Sequence, residues 1–219
     1  MSNIKAFIFD LDGVLTDTSE FHYLAWQRMA NENSLEFSRE MNESLRGIPR
    51  RESLLLILNG RTFPEEKIQE MMECKNNYYL EFIGQITPED LLPGARELLE
   101  EIRLAGLKAA LGSASKNARE VVQRLSIENL LDAISDGQSV ERQKPAPDLF
   151  LHTASQLNLE PAECVVVEDA AAGIDAGKAA GMRTLGLGPI ERVGYADLIL
   201  PDLSSARLGV ILKQFENLP

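Results

Sequence analysis

The chain has 219 residues, 44% hydrophobic and 26% charged, the balance of a soluble globular protein of one or two domains. Its formal net charge of −12 disfavours nucleic acid and anionic membranes as partners, and any phosphate site must draw on local cations. No stretch approaches the roughly 20 apolar residues of a membrane span. The start MSNIKAF shows no signal peptide, and Cys74 and Cys164 lack metal spacing, so a reducing, cytoplasmic location is expected.

Residues 6–9 (AFIF) read as a strand apolar on both faces, as in the middle of a parallel sheet. Strands then vanish, and residues 20–32, 39–45, 51–58 and 65–83 all read as helix. The return, QITPEDLLPG, carries two prolines and a glycine, as a linker would. From residue 93 helices and strands alternate. Helices are predicted over 93–105, 116–125, 147–157 and 170–180, and strands over 107–111, 133–135, 164–167, 183–187 and 198–200, before a terminal helix. The expectation is an α/β fold: a Rossmann-like parallel sheet core, 1–15 and 93–219, with an inserted α-helical cap domain, 16–92. Ligands of open α/β sheets bind at the carboxyl ends of the strands, and a helical insert there is placed to act as a lid.

The stretch FIFDLDGVLTD ends a buried strand in three carboxylates, Asp10, Asp12 and Asp17, which repel one another unless something positive sits among them. Other predicted strand ends and one loop before a helix add Ser113 in GSASKN, Lys144 in RQKPAPD, and Glu168 and Asp169 in VVVEDAAAG. Each residue alone has an ordinary reading as a turn, a cap or a solvated charge. Taken in order, DLDGV, Ser113, Lys144 and the Glu168–Asp169 pair resemble the four motifs of the haloacid dehalogenase superfamily of phosphotransferases, and the resemblance spans the whole chain.

The resemblance implies that Asp10 is a nucleophile becoming an aspartyl phosphate and Asp12 the general acid/base. It implies magnesium held by Asp10, the Asp12 backbone carbonyl and Asp169, with Glu168 beside it. Ser113 and the Ala114 amide would hold the transferring phosphate, and Lys144 would offset its charge. Asp17 reads better as a cap of the first insert helix. No GxxxxGK(S/T) stretch is present, so no P-loop is expected, and Gly173, Gly177 and Gly181 read as close packing or a helix stop.

LDGVLTDTSEFHYLAW, LRGIPRRESL, ECKNNYY and GSASKN are similar to stretches of the sugar-phosphate mutases of this superfamily. Those enzymes interconvert β-glucose 1-phosphate and glucose 6-phosphate through a bound bisphosphate, which requires a second phosphate pocket. The resemblance assigns Arg50, Ser115, Lys116 and Asn117 to that pocket. It assigns Lys75 to the sugar or its phosphate, His22 to the reacting hydroxyl, Trp26 to packing in the cap, Thr16 to the cap hinge and Gly47 to the substrate-facing loop. Pro49 and Arg51, flanking Arg50, depart from the pattern. A magnesium-dependent phosphatase of small sugar phosphates shares every core motif and stays open. A phosphosugar-binding protein has no need of a nucleophile, and a dehalogenase no need of Glu168 and Asp169. The expected partner is a small sugar phosphate, with no nucleic acid or membrane, and a monomer is expected.

Overall fold

The computed structural model describes residues 3–45 and 48–218. Six parallel strands form one sheet: β1 (Ala6–Phe9), β2 (Lys108–Gly112), β3 (Ala133–Ser135), β4 (Cys164–Glu168), β5 (Arg183–Leu187) and β6 (Leu198–Leu200), in the order β3-β2-β1-β4-β5-β6. The chain runs outward from β1 to β3, returns to the other side of β1 at β4, and runs outward again. The order therefore reverses between β1 and β4, where the crevice of a doubly wound sheet opens.

β1 is central because every residue in it is apolar and fully buried. Successive side chains point to opposite faces. Phe7 and Phe9 join the cluster that holds Leu98, Leu99 and Ile102 of α5 (Ala95–Leu104), Val121 and Val122 of α6 (Ala118–Arg124), and Ile211 and Phe215 of α10 (Leu208–Glu216). Ala6 and Ile8 join the opposite cluster, with Phe150, Ala154 and Leu157 of α7 (Asp148–Leu157) and Ala176 of α8 (Ala171–Ala179). A short helix, α9 (Ile190–Val193), precedes β6 and has no counterpart in the sequence reading.

Between β1 and the return lie α1 (Ser19–Glu32), α2 (Arg39–Ser44), α3 (Arg50–Leu58) and α4 (Glu65–Ile83). They share an apolar cluster of Trp26, Met29, Leu54, Leu58 and Met71. The outgoing and returning segments are tied: Leu92 N donates to Leu15 O at 2.9 Å, and Thr16 Oγ1 donates to Asp90 O at 2.7 Å. On α4 the buried positions Ile68, Met71, Lys75, Tyr79 and Ile83 recur at helical spacing, so a lysine lies in an apolar stripe.

α6 begins two residues later than its apolar pattern predicts. Ser113 Oγ accepts from Ser115 N at 3.1 Å and Ser115 Oγ from Asn117 N at 3.3 Å. Those bonds hold 113–117 as a loop, competing with the first helical turn.

Candidate active site

The carboxyl ends of β1, β2 and β4 meet at the sheet's reversal point, and the motif residues converge there. Asp10, Glu168 and Asp169 are buried, with one carboxylate oxygen of each lying within 4.8 Å of the others. Lys144, 3% exposed, places Nζ 2.6 Å from Asp10 Oδ1 and 2.6 Å from Glu168 Oε1. Burial works against its charge, but the two carboxylates outweigh burial and hold the ammonium above the ordinary lysine range. Burial, and then Asp10 and Asp169, push Glu168 above the usual carboxylate range against the pull of Lys144. Three carboxylates against the Lys144 ammonium and the Arg192 guanidinium, 3.5 Å from Asp169, leave surplus negative charge in a buried corner. Hard oxygen donors with surplus negative charge fit a divalent cation.

Two glycines let the backbone close around this corner. Gly13 has φ +82°, and a Cβ there would stand 2.3 Å from Asp169 Oδ2. A Cβ at Gly173 would stand 1.8 Å from Glu168 Oε1, which makes this glycine a close-packing position, as the sequence reading has it.

Asp12 N donates to Asp10 Oδ2 at 3.1 Å, and the Asp12 carboxyl is pushed up to about 6 by burial and then by Asp10. Thr18 Oγ1 donates to Asp12 Oδ1, and Tyr79 OH donates to Thr18 Oγ1 at 3.2 Å. Thr18 and Tyr79, both buried, therefore aim Asp12, and the sequence reading missed both.

Above the corner is a cavity of about 660 Å³, lined from the sheet side by Asp10, Asp12, Ser113, Ala114, Ser115, Lys116, Asn117 and Asp169. From the helical side it is lined by His22, Trp26, Arg50 and Lys75. Lys75, 2% exposed, places Nζ 2.8 Å from His22 Nδ1 and 5.1 Å from the centre of the Trp26 ring. Desolvation, and then Arg50, hold its pKa well below the ordinary lysine value. Arg50 donates to Asn76 Oδ1 at 2.7 Å, whereas Arg51 is taken up by both oxygens of Glu65 at 2.6 and 2.8 Å.

The structure thus gathers most of the sequence-derived candidates. Lys144 and Glu168 lie beneath the cavity rather than on its wall. Thr16 is not on the wall either, because its hydroxyl is engaged by Asp90 O at the connection between the two segments. That connection is where a hinge between the segments would lie. Gly47 lies outside the described residues. Asp17 Oδ1 accepts from Ser19 N at 2.9 Å at the start of α1, the capping place assigned to it. Besides Thr18 and Tyr79, sequence reasoning missed Asn76, and it missed Arg192, whose guanidinium lies 3.5 Å from Asp169 Oδ2. A tyrosine four residues beyond Lys75 on the apolar stripe of α4 was the one available signal for Tyr79.

Fold and site together define an α/β protein that carries a buried carboxylate–lysine cluster at the ends of its strands. Residues 4–181 match the model of the haloacid dehalogenase-like hydrolase family. The chain is 42% identical, over 98% of its length and 96% of the relative's, to a β-phosphoglucomutase from Bacillus subtilis. It is 28% identical, over 83% of its length and 84% of the relative's, to a phosphorylated carbohydrates phosphatase from Thermotoga maritima. Its fold superposes on a crystal structure of a β-phosphoglucomutase from Clostridium difficile with a TM-score of 0.94, at 41% identity and 97% coverage of both chains. The chain belongs to the haloacid dehalogenase-like hydrolase family.

Proposed function

We propose that the chain acts as a β-phosphoglucomutase, an isomerase that interconverts β-D-glucose 1-phosphate and glucose 6-phosphate through β-glucose 1,6-bisphosphate. One observation carries this reading. A single cavity combines a nucleophile cluster, Asp10 with Asp12 and Ser113, and a second set of phosphate donors, Arg50, Lys116 and Asn117. A phosphatase of small monoesters needs only the first set.

In this reading the phosphorylated Asp10 carboxylate donates its phosphoryl group to the C6 hydroxyl of β-glucose 1-phosphate, and Asp12 takes the hydroxyl proton. The bisphosphate turns over in the site. Asp10 then attacks phosphorus on O1, and Asp12 returns the proton to O1 as glucose 6-phosphate forms and the aspartyl phosphate is restored. Lys144 holds the Asp10 carboxylate and offsets charge at the phosphoryl group, while Ser113 and the Ala114 amide grip its oxygens. Arg50, Ser115, Lys116 and Asn117 bind the phosphate that is not reacting, in which the planar donors of arginine suit two oxygens at once. Lys75 and His22 face the sugar. Asp10, Glu168 and Asp169, with the Asp12 backbone carbonyl, suit magnesium, which when bound supplies neutralisation of phosphoryl charge. Helices α1–α4, within a cap domain of residues 16–92, cover the site against water. The protein is read as a cytoplasmic monomer whose partner is a small sugar phosphate.

The alternative is hydrolysis of a small sugar phosphate. Phosphorus NMR of β-glucose 1-phosphate with enzyme, magnesium and a trace of glucose 1,6-bisphosphate separates the two. The mutase reading expects glucose 6-phosphate without a matching rise in free phosphate. Free phosphate and glucose as the main products would replace it with the phosphatase.

A further inference from the structure

Asn76 lies on α4, next in sequence to the buried Lys75, and the site reading above leaves it without a role. Its Oδ1 accepts two donors from different parts of the molecule. Arg50, the first residue of α3, donates at 2.7 Å, and Asn117, in the loop between β2 and α6, donates from Nδ2 at 3.0 Å. The second bond joins the helical insert directly to the edge of the sheet. Arg50 and Asn117 also line the same cavity, from its helical and its sheet side.

An oxygen that accepts from a guanidinium and an amide at these distances does what one oxygen of a phosphate ester would do there. It differs from phosphate in one respect: it carries no net charge. A neutral amide holds the guanidinium more weakly than an anion does, so it yields to phosphate. The neighbouring Arg51 shows the contrast, since both oxygens of the Glu65 carboxylate already grip it.

We infer that Asn76 is a positioning residue of this reaction, its side-chain oxygen gathering Arg50 and Asn117 across the cleft and drawing the insert onto the site until a substrate phosphate oxygen takes its place. The inference rests on the two-phosphate reading of the cavity. Two consequences follow. The distal-phosphate donors meet substrate already arranged, which saves the entropy of ordering them. The cleft also stays covered while Asp10 carries a phosphoryl group and no sugar is bound, which keeps water from taking that group to give free phosphate and the Asp10 carboxylate.

The test compares wild type, Asn76→Ala and Asn76→Asp in two assays. The first measures kcat and KM for β-glucose 1-phosphate with bisphosphate present. The second phosphorylates the enzyme with acetyl phosphate, a donor without a sugar, and follows loss of the phosphoryl group to water. Asn76→Ala should raise KM several-fold, because Arg50 and Asn117 are then ordered only when substrate binds. It should leave kcat little changed and hydrolyse the phosphoenzyme several-fold faster. Asn76→Asp keeps the acceptor but makes it anionic. It should raise KM further, because it holds Arg50 and repels phosphate, without accelerating hydrolysis. Faster hydrolysis in Asn76→Ala but not in Asn76→Asp is the signature, and a merely structural role would not produce it. Equal hydrolysis rates in all three proteins, or a loss of kcat with KM unchanged, would overturn the inference. If Asn76→Ala fails to fold, faster hydrolysis in Asn76→Asp than in wild type would overturn it. Wild type releasing glucose and free phosphate would refute the mutase reading instead, and the acetyl phosphate comparison would still decide the role of Asn76.

Discussion

Lys144→Ala removes the ammonium that pairs with both Asp10 and Glu168 in the corner, and the structure sets the scale of the loss. Nζ lies 2.6 Å from one oxygen each of Asp10 and Glu168, and Lys144 and Glu168 are almost wholly buried. At an effective dielectric constant of about 20, each contact corresponds to roughly 6 kcal/mol of gross attraction, most of it offset by the cost of taking the charges out of water. What the substitution exposes is that desolvation cost, because Asp10, Glu168 and Asp169 stay buried with no ammonium between them. Breaking a buried pair from one side costs about 3–5 kcal/mol. For a chain of this size that lowers the melting temperature by roughly 10 °C. The assay is thermal denaturation of wild type and Lys144→Ala at pH 7, first with chelator and then across a magnesium titration. The variant should be much less stable in chelator and should gain more than wild type from added magnesium, since a cation then supplies the missing positive charge. A variant as stable as wild type in chelator would refute the charge argument. Equal gains from magnesium in both proteins would show that the carboxylate corner does not bind the ion as described.

Asp10→Asn should abolish turnover and acid-stable incorporation of phosphate from acetyl phosphate while leaving the circular dichroism spectrum unchanged; labelling at wild-type levels would remove Asp10 as the nucleophile. Arg50→Ala should impair reaction with sugar phosphate far more than phosphorylation by acetyl phosphate, whereas Arg51→Ala, whose guanidinium Glu65 already engages, should change neither. Equal effects at the two arginines would argue against a distal-phosphate role for Arg50. Asp197 accepts from Thr184 N at 2.7 Å, from Thr184 Oγ1 at 2.9 Å and from Lys178 at 2.9 Å. Burial opposes its charge, but these bonds outweigh burial and hold its pKa below the ordinary aspartate value. A depressed pKa contributes stability above the unfolded value that disappears as pH falls through the folded one, so Asp197→Asn should flatten the acid limb of a stability–pH curve below about pH 4. An unchanged acid limb would count against these bonds.

Much of the site is legible in the sequence because it is local to strand ends. Asp10 and Asp12 follow a strand whose four residues are all apolar, and Glu168 and Asp169 close another, so a parallel sheet brings them to one edge whatever the finer packing. The helical insert is legible for the same reason, since its apolar spacing changes character between residues 16 and 92. Periodicity overran at residues 116–117, where serine hydroxyls take up backbone donors and hold a loop instead of a helical turn.

The sequence by itself determined the sheet, the insert and the strand-end carboxylates, because alternation and strand-end placement depend only on local periodicity and connection rules, while Lys144, in a loop, joined them through the resemblance in motif order. Tertiary structure alone decided that the Thr18 hydroxyl reaches the Asp12 carboxylate, that Tyr79 backs Thr18 from 61 residues away, that Asn76 spans from α4 to Asn117, and that Arg192 leans on Asp169. Each of those contacts depends on how a helix is rotated and seated against a distant element. That choice is made by packing the whole cluster of Trp26, Met29, Leu54, Leu58 and Met71, and the sum of many weak apolar contacts leaves no trace in any single short stretch of chain.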